Sequence, residues 1–321
     1  MKKTALMALS AAAALVLAAC STSGEEASGE DAAAGDGEQL TLSHPSIEGL
    51  NIDFENQPET IVMDCYAYSS LHEYGIEPDA LFGFECDNPA LMGDADIEGI
   101  ETIGQDAEID LEKLAELRPD AIIGNGNAKG WSWFDEDVNA QLQRVAPFVP
   151  LPSEGSIDQR IADTREIAEF FGADVEADNI VAADGDFAAA KEAFTAAVDG
   201  KDYNFLLTSP TKEMLYTGVG FAQADMLEEL GANIAGPDAP AEGNPWGRVA
   251  WEDASTYPAD VILVENYDPE APFTAELWDN LPAVQADQVS TWSSKGALTS
   301  RNYADWLQDL ADKVETYDKV N

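Results

Sequence analysis

Basic residues are scarce in this chain. Its 321 residues hold 16 Lys and Arg against 62 Asp and Glu, a formal net charge of −46. Binding nucleic acid by neutralising phosphates needs basic patches, so that class of partner is not expected. Histidine is scarcer still, with only His44 and His72. Proteins that capture bare zinc or manganese need several His and carboxylate ligands, so no direct metal site is expected. A Gly-x-Ser-x-Gly elbow and a His-Glu-x-x-His helix are both absent, which leaves a secreted hydrolase without its usual nucleophile or zinc, and no catalytic residue is assigned. Gly124-Asn125-Gly126 follows a strand-like run, yet no Gly-Lys-Ser/Thr comes after it and Trp131-Ser132-Trp133 does not open a helix, so a nucleotide loop is not expected either. Asp94 to Gly99 has the spacing of a calcium loop, but its twelfth position is Gln105 and not a bidentate Glu, so it reads as a polar turn. The apolar run Ala5 to Ala19 is shorter than the roughly 20 residues of a membrane-spanning helix.

What that run does fit is an export signal. Lys2 and Lys3 precede it, and it ends Leu17-Ala18-Ala19-Cys20, small residues before a cysteine. This resembles a bacterial lipoprotein signal over residues 1–19, with Cys20 lipidated as the mature N-terminus. Acyl chains hold a protein on a membrane at about 0.8 kcal/mol per buried CH₂, enough for stable anchoring without a spanning helix. Residues 20–39 follow, and from Ser21 to Glu38 they hold only Ser, Thr, Gly, Ala, Asp and Glu. Such a segment cannot bury enough apolar surface to order itself and reads as a flexible acidic tether.

One pattern occurs twice in the body. Ile109 to Ile123 reads as a short helix with Leu111, Leu114 and Leu117 at helical spacing, a stop at Pro119, Asp120, and the apolar strand Ala121-Ile122-Ile123. Val249 to Leu263 repeats the order, with Pro258, Asp260 and the strand Val261-Ile262-Leu263. Glu112 and Glu252 hold matching places, so two lobes of similar build are expected, each carrying one such glutamate. Both also fit as ordinary first-turn glutamates favoured by the helix dipole.

The surrounding pattern is α/β. Residues 40–152 read as a first lobe with strands at Thr60–Asp64, Ala80–Phe84, Glu101–Ile103, Ala121–Ile123 and Pro147–Pro150, and helices at Ser69–Tyr74 and Val138–Val145. Residues 153–200 carry two helices, to Phe171 and from Ala177 to Val198, the second a stiff connector about 30 Å long. Residues 201–321 read as a second lobe with strands at Tyr203–Ser209, Met214–Thr217 and Gln288–Thr291, and helices at Ala222–Leu230, Glu276–Asn280 and Ser300–Tyr317. Alternating strands and helices predict parallel-rich, Rossmann-like sheets whose ligands sit beyond the carboxyl ends of the strands. Cys65 and Cys86 each follow a strand on one predicted sheet edge, and an exported compartment permits a disulfide between them. Two independent free thiols are the alternative.

Asp110-Leu111-Glu112-Lys113-Leu114 with Leu117 to Ile123, then Asn244-Pro245-Trp246-Gly247-Arg248-Val249, then Leu277-Trp278-Asp279-Asn280-Leu281-Pro282-Ala283-Val284 together resemble the substrate-binding lipoproteins of ABC importers, the siderophore, haem and vitamin B12 class with a helical backbone. That resemblance spans about Thr60 to Lys313. It implies two Rossmann-like lobes joined by one long helix, a ligand cleft between them, no enzymatic activity, and a monomer on the outer face of the cytoplasmic membrane. It implies that Glu112 and Glu252 dock on arginines of an ABC permease. Trp246 and Arg248 match a loop facing the cleft, Trp292 follows a strand on the same rim, and Trp131, Trp133, Tyr66 and Lys129 lie where they could face them from the first lobe. Aromatic walls suit a bulky chelate and a guanidinium suits an anionic oxygen. With so few bases, a ferric siderophore of hydroxamate or mixed type is the first expectation, with haem and cobalamin open.

Overall fold

A computed structural model of the chain describes residues 40–239 and 244–321. The signal at 1–19, Cys20 and the tether to residue 39 lie outside the described residues. No helix among the described residues is long and apolar enough to cross a membrane.

The first half opens with an antiparallel pair, β1 (Leu40–Ser43) and β2 (Asn51–Phe54). β3 (Ile61–Asp64) runs directly into α1 (Cys65–Leu71) and a 3₁₀ turn at His72–Tyr74. There follow β4 (Ala80–Phe82), α2 (Pro89–Met92), β5 (Glu101–Thr102) and a small hairpin of β6 (Gly104–Gln105) and β7 (Glu108–Ile109). α3 (Leu111–Leu117) and β8 (Ala121–Gly124) form the first repeated unit. A second small hairpin, β9 (Gly126–Asn127) with β10 (Gly130–Trp131), precedes α4 (Glu136–Val145) and β11 (Phe148–Pro150). The sheet order β11-β8-β3-β4-β5 is parallel throughout. Successive residues of its strands feed opposite faces: Ile61, Met63, Leu81 and Ile123 join one apolar cluster, and Val62, Ala80, Phe82 and Ile122 join another. Burial on both faces is why these strands read as unbroken apolar runs.

α5 (Ile157–Phe170) and α6 (Asp178–Val198) connect the halves. They are paired by ion pairs of Arg165 with Asp184, at 2.6 Å, and of Lys191 with Asp158. α6, at 21 residues, is the long helix, and it is not alone in bridging. Ile157 and Ile161 of α5, with Phe187, Ala190 and Phe194 of α6, pack in the second half's core, while Ile167, Ala168 and Ile180 pack in the first's.

The second half holds β12 (Asn204–Pro210), β13 (Leu215–Thr217), α7 (Ala222–Glu229), β14 (Asn233–Ile234), β15 (Gly247–Val249), a 3₁₀ segment Trp251–Thr256, β16 (Val261–Glu265), α8 (Pro282–Gln285), β17 (Val289–Trp292) and α9 (Ser300–Thr316). The sheet runs β15-β13-β12-β16-β17, with β14 beside the start of β12. β12, β16 and β17 are parallel, and β13 and β15 add antiparallel edge strands.

Several predicted elements differ. The helix expected at Ser69–Tyr74 starts at Cys65, because Asp64 at the end of β3 accepts from Ala67 N–H at 2.7 Å and caps it. In the second repeated unit the helix is a 3₁₀ segment. Its capping position is Ala250, which offers no side-chain acceptor, whereas Asp110 caps α3 by accepting from Glu112 N–H and Lys113 N–H. Residues 276–280 form turns, and the helix begins at Pro282, whose fixed φ suits a first helical position. The repeat is nevertheless physical. Asp120 accepts from Glu59 N–H and Thr60 N–H at the start of β3, and Asp260 accepts from Asn204 N–H at the start of β12.

Candidate functional site

In the first half, Asp64 ends β3 with no solvent exposure. Besides capping α1, its carboxylate accepts from Asn125 N–H at 2.7 Å and from the Trp131 indole Nε1–H at 2.6 Å. Burial raises its pKa to about 6, against the pull of these donors. Asp64 therefore fixes Trp131 against the sheet edge. Glycines make the room: a Cβ at Gly124 would lie 3.0 Å from the Trp131 ring, and one at Gly83 would lie 3.1 Å from it. Trp131 is 1% exposed and stacks on Phe84 at 5.7 Å. Trp133 rests on it at 4.9 Å and meets Phe84 at 5.4 Å and Tyr66 at 5.8 Å. Tyr66, Phe84 and Trp133 thus form three walls over a Trp131 floor.

The second half repeats the device. Trp292 ends β17, is 1% exposed, and donates its Nε1–H to Thr208 O at 3.1 Å. A Cβ at Gly218 would lie 2.6 Å from its ring, so only glycine fits there. Trp246 lies on it at 5.6 Å, with Phe221 between and beside them and Tyr216 at 6.4 Å from Trp246. Each half therefore carries one buried, pinned tryptophan and one half-buried tryptophan on top of it. Arg248 is exposed on β15, its guanidinium 5.8 Å from the Tyr216 ring.

The segment after β17 laces the halves together. Ser293 O accepts from Gln223 Nε2 at 2.8 Å, and Ser294 Oγ donates to Glu265. Lys295 then reaches into the first half, its ammonium 5.2 Å from the Tyr66 ring, 5.7 Å from Trp133 and 6.0 Å from Phe84. Leu298 N–H donates to Ser70 Oγ at 3.0 Å, and Arg301 Nε donates to Glu73 at 2.9 Å. Burial first, and then the carboxylates of Glu85, Asp64 and Glu265, push the Tyr66 phenol well above its ordinary pKa. Glu265 belongs to the second half, so that hydroxyl senses both sides.

The expected site residues thus separate into groups. Tyr66 and Trp133 converge with Lys295. Trp131 and Trp292 were expected to face the ligand; both are buried, with their indole N–H groups already bonded, so they support the walls and do not form them. Trp246 is half-buried and Arg248 exposed at the second cluster. Lys129 is not brought to the cage. It sits at the turn of the β9–β10 hairpin, where its own N–H donates to Asn127 Oδ1, and it borders a cavity of about 400 Å³ with Ser132, Glu136 and Gln143. Phe84 and Lys295 were not among the expected ligand contacts. Phe84 read as the end of the strand Ala80–Phe84. Glu112 is exposed in the first turn of α3, and Glu252 is exposed in the 3₁₀ segment beside an apolar cavity of about 270 Å³ lined by Leu206, Trp251 and Leu277.

Cys65 and Cys86 are joined by a disulfide with their Cα atoms 5.2 Å apart. Among the described residues no group of three or more His, Cys, Asp and Glu is placed to hold a metal ion. His44 is buried, with Nε2 on Pro150 O and Nδ1 accepting from Ile47 N–H, and His72 Nδ1 faces Ser69 O.

A family model described as periplasmic binding protein matches residues 87–295. No curated protein matches the chain. Among solved structures, DesE, a ferric-siderophore receptor protein from Streptomyces coelicolor, is 26% identical over 88% of this chain and 99% of its own, with a TM-score of 0.79. FhuD from Vibrio cholerae, a siderophore-binding protein solved with Fe³⁺-Desferal, is 21% identical over 81% of this chain and 99% of its own, with a TM-score of 0.63. FeuA from Bacillus subtilis, a triscatecholate siderophore-binding protein, is 16% identical over 88% and 100%, with a TM-score of 0.65.

Proposed function

The chain belongs to the periplasmic binding protein family, a family of binding proteins and not of enzymes, and from that premise we propose that it captures a ferric siderophore between its two aromatic clusters for delivery to an ABC permease. The observation that carries this reading is the likeness to a ferric-siderophore receptor along nearly the whole length of both chains. The site agrees with it in chemistry. Aromatic faces from both halves suit a bulky chelate with apolar and polar surfaces.

A hydroxamate or mixed chelate is the favoured ligand. Among the described residues Lys295 is the one cation lodged in the first-half cage, and Arg301 is occupied by Glu73. A highly anionic triscatecholate would call for more positive charge than this. Arg248 is exposed beside the second cluster and is assigned to a chelate oxygen, as a planar fork.

Lipidation at Cys20 would hold the protein on the outer face of the cytoplasmic membrane, and the disulfide suits that compartment. Glu112 and Glu252, both exposed and at matching points of the repeat, are assigned to permease docking. No second subunit enters this reading.

Intrinsic tryptophan fluorescence tests it. Titration of the purified protein with ferric hydroxamates, ferric catecholates, haem and cobalamin should give saturable quenching by a ferric hydroxamate, weakened at least tenfold in Trp133→Ala and in Arg248→Ala. Quenching by haem or cobalamin alone would replace the ligand, and no response to any of the four would remove the function.

A further inference from the structure

The Tyr66, Phe84 and Trp133 walls already hold a guest, the side chain of Lys295. A butyl chain bearing an ammonium is therefore the chemical shape that the cage is seen to accept, and the donor of that group comes from the other half of the molecule. Three aromatic faces turned toward one cation make a box whose attraction is electrostatic, through the negative faces of the rings. The surroundings add to it. Glu85 follows Phe84 directly, and Glu265 reaches the same region from β16.

Lys295 is an exchangeable guest. It makes no ion pair among the described residues and stays half-exposed on a flexible four-carbon stem. The segment carrying it is fixed on both sides of the residue, by Gln223 on Ser293 and by Ser70 on Leu298, so the side chain can leave while the backbone stays. The Tyr66 hydroxyl is the second sign that the cage awaits a ligand. Tyr66 is 4% exposed, yet its oxygen has no hydrogen-bond partner among the described residues. A buried polar group without a partner is costly, and native structures rarely leave one without a reason.

Resting on the siderophore reading above, we propose that this cage is a subsite for a primary alkylammonium group of the ligand, with Lys295 filling it until the ligand's own ammonium takes its place. The exchange swaps one cation for another, so the cage buries no additional charge. It also frees the Lys295 ammonium at the cleft, where it can donate to an anionic oxygen of the chelate. The preferred ligand is thus a ferric chelate that is neutral or anionic at the metal and carries a free aliphatic amine at one end.

n-Butylammonium, the lysine side chain as a free molecule, tests the cage without iron. Against the purified protein and its Lys295→Met and Lys295→Gln variants, tryptophan quenching should show it binding at least tenfold more tightly once the lysine ammonium is gone. The neutral isostere 1-butanol should not share that gain, and adding Tyr66→Leu and Trp133→Leu should abolish it. Equal binding of the amine and the alcohol, or no gain in either Lys295 variant, would overturn the proposal. A second arm uses a ferric hydroxamate bearing a free amine and its N-acetylated form. The amine should bind at least fivefold more tightly, and equal affinity would again sink the cage subsite. Failure of both ferric compounds to bind would instead remove the siderophore reading and leave the butylammonium result to judge the cage.

Discussion

Asp64 shows how much a single side chain can organise. Its carboxylate is fully buried and receives three N–H groups, from Ala67, Asn125 and the Trp131 indole. Its pKa is raised from 3.8 to about 6, so the folded protein binds this proton more tightly than the unfolded chain does. Asp64 therefore favours folding most when it is protonated. That contribution falls as pH rises from about 4 to about 6 and is constant above, with a loss of roughly 3 kcal/mol for a shift of this size. The difference in unfolding free energy between wild type and Asp64→Asn, from urea titrations at closely spaced pH values, should trace this window. A flat difference from pH 4 to 6 would mean that the carboxylate is ionised throughout. His44 works in the opposite direction. Burial lowers its pKa, so its neutral form supports the fold above about pH 6.5, and the support is lost as pH falls below that. At Gly218 a Cβ would press on the Trp292 ring at 2.6 Å. Gly218→Ala should cost about 1–3 kcal/mol by overpacking and shift the emission spectrum of the second cluster.

At the scale of elements, the repeated unit carries the clearest lesson. Asp120 and Asp260 do the same work, each accepting backbone N–H groups from the start of the neighbouring central strand. They differ in setting. Asp260 is fully buried and also accepts from Val320 N–H and Asn321 N–H, while Asp120 is exposed. Asp260→Ala should therefore destabilise by about 2–4 kcal/mol and Asp120→Ala by about 1 kcal/mol, read as urea midpoints at unchanged slope. The strand runs, the long helices and the repeat were legible because each rests on local apolar periodicity and on Pro or Gly stops. The small hairpins at residues 40–54, 104–109 and 126–131 were not, because two- to four-residue strands leave too short a pattern. The start of α1 was hidden for another reason: its cap, Asp64, lies inside an apolar strand run. The cage was legible only in part. Tyr66 and Trp133 stood out as aromatics at strand ends, but their meeting with Phe84 and Lys295 joins four distant points of the chain. No local spacing encodes that convergence, and Trp131 looked like Trp133 until burial distinguished them.

For the molecule as a whole, the net charge of −46 sets the conditions under which the fold and its partners operate. Like charges at this density repel, and salt screens them over about 10 Å at 0.1 M. The melting temperature should rise steadily between about 10 mM and about 1 M NaCl, and a melting temperature independent of salt would show that the acids are locally compensated. The proposed docking also belongs to the whole molecule, since Glu112 and Glu252 are exposed one on each half. Reversing both charges, Glu112→Arg with Glu252→Arg, should abolish uptake of the iron complex while leaving its affinity within about twofold. Intact uptake would dismiss the docking role.

Tyr66 is the residue after Cys65, and Phe84 and Glu85 are the two before Cys86, so the disulfide staples one cage wall to the next. Cys65 opens α1 directly after β3 and Cys86 lies beyond the end of β4, so the bond joins the segments that leave two neighbouring, paired strands. Reduction of the bond would release this tie between Tyr66 and the Phe84–Glu85 pair while the parallel pairing of β3 with β4 stays in place.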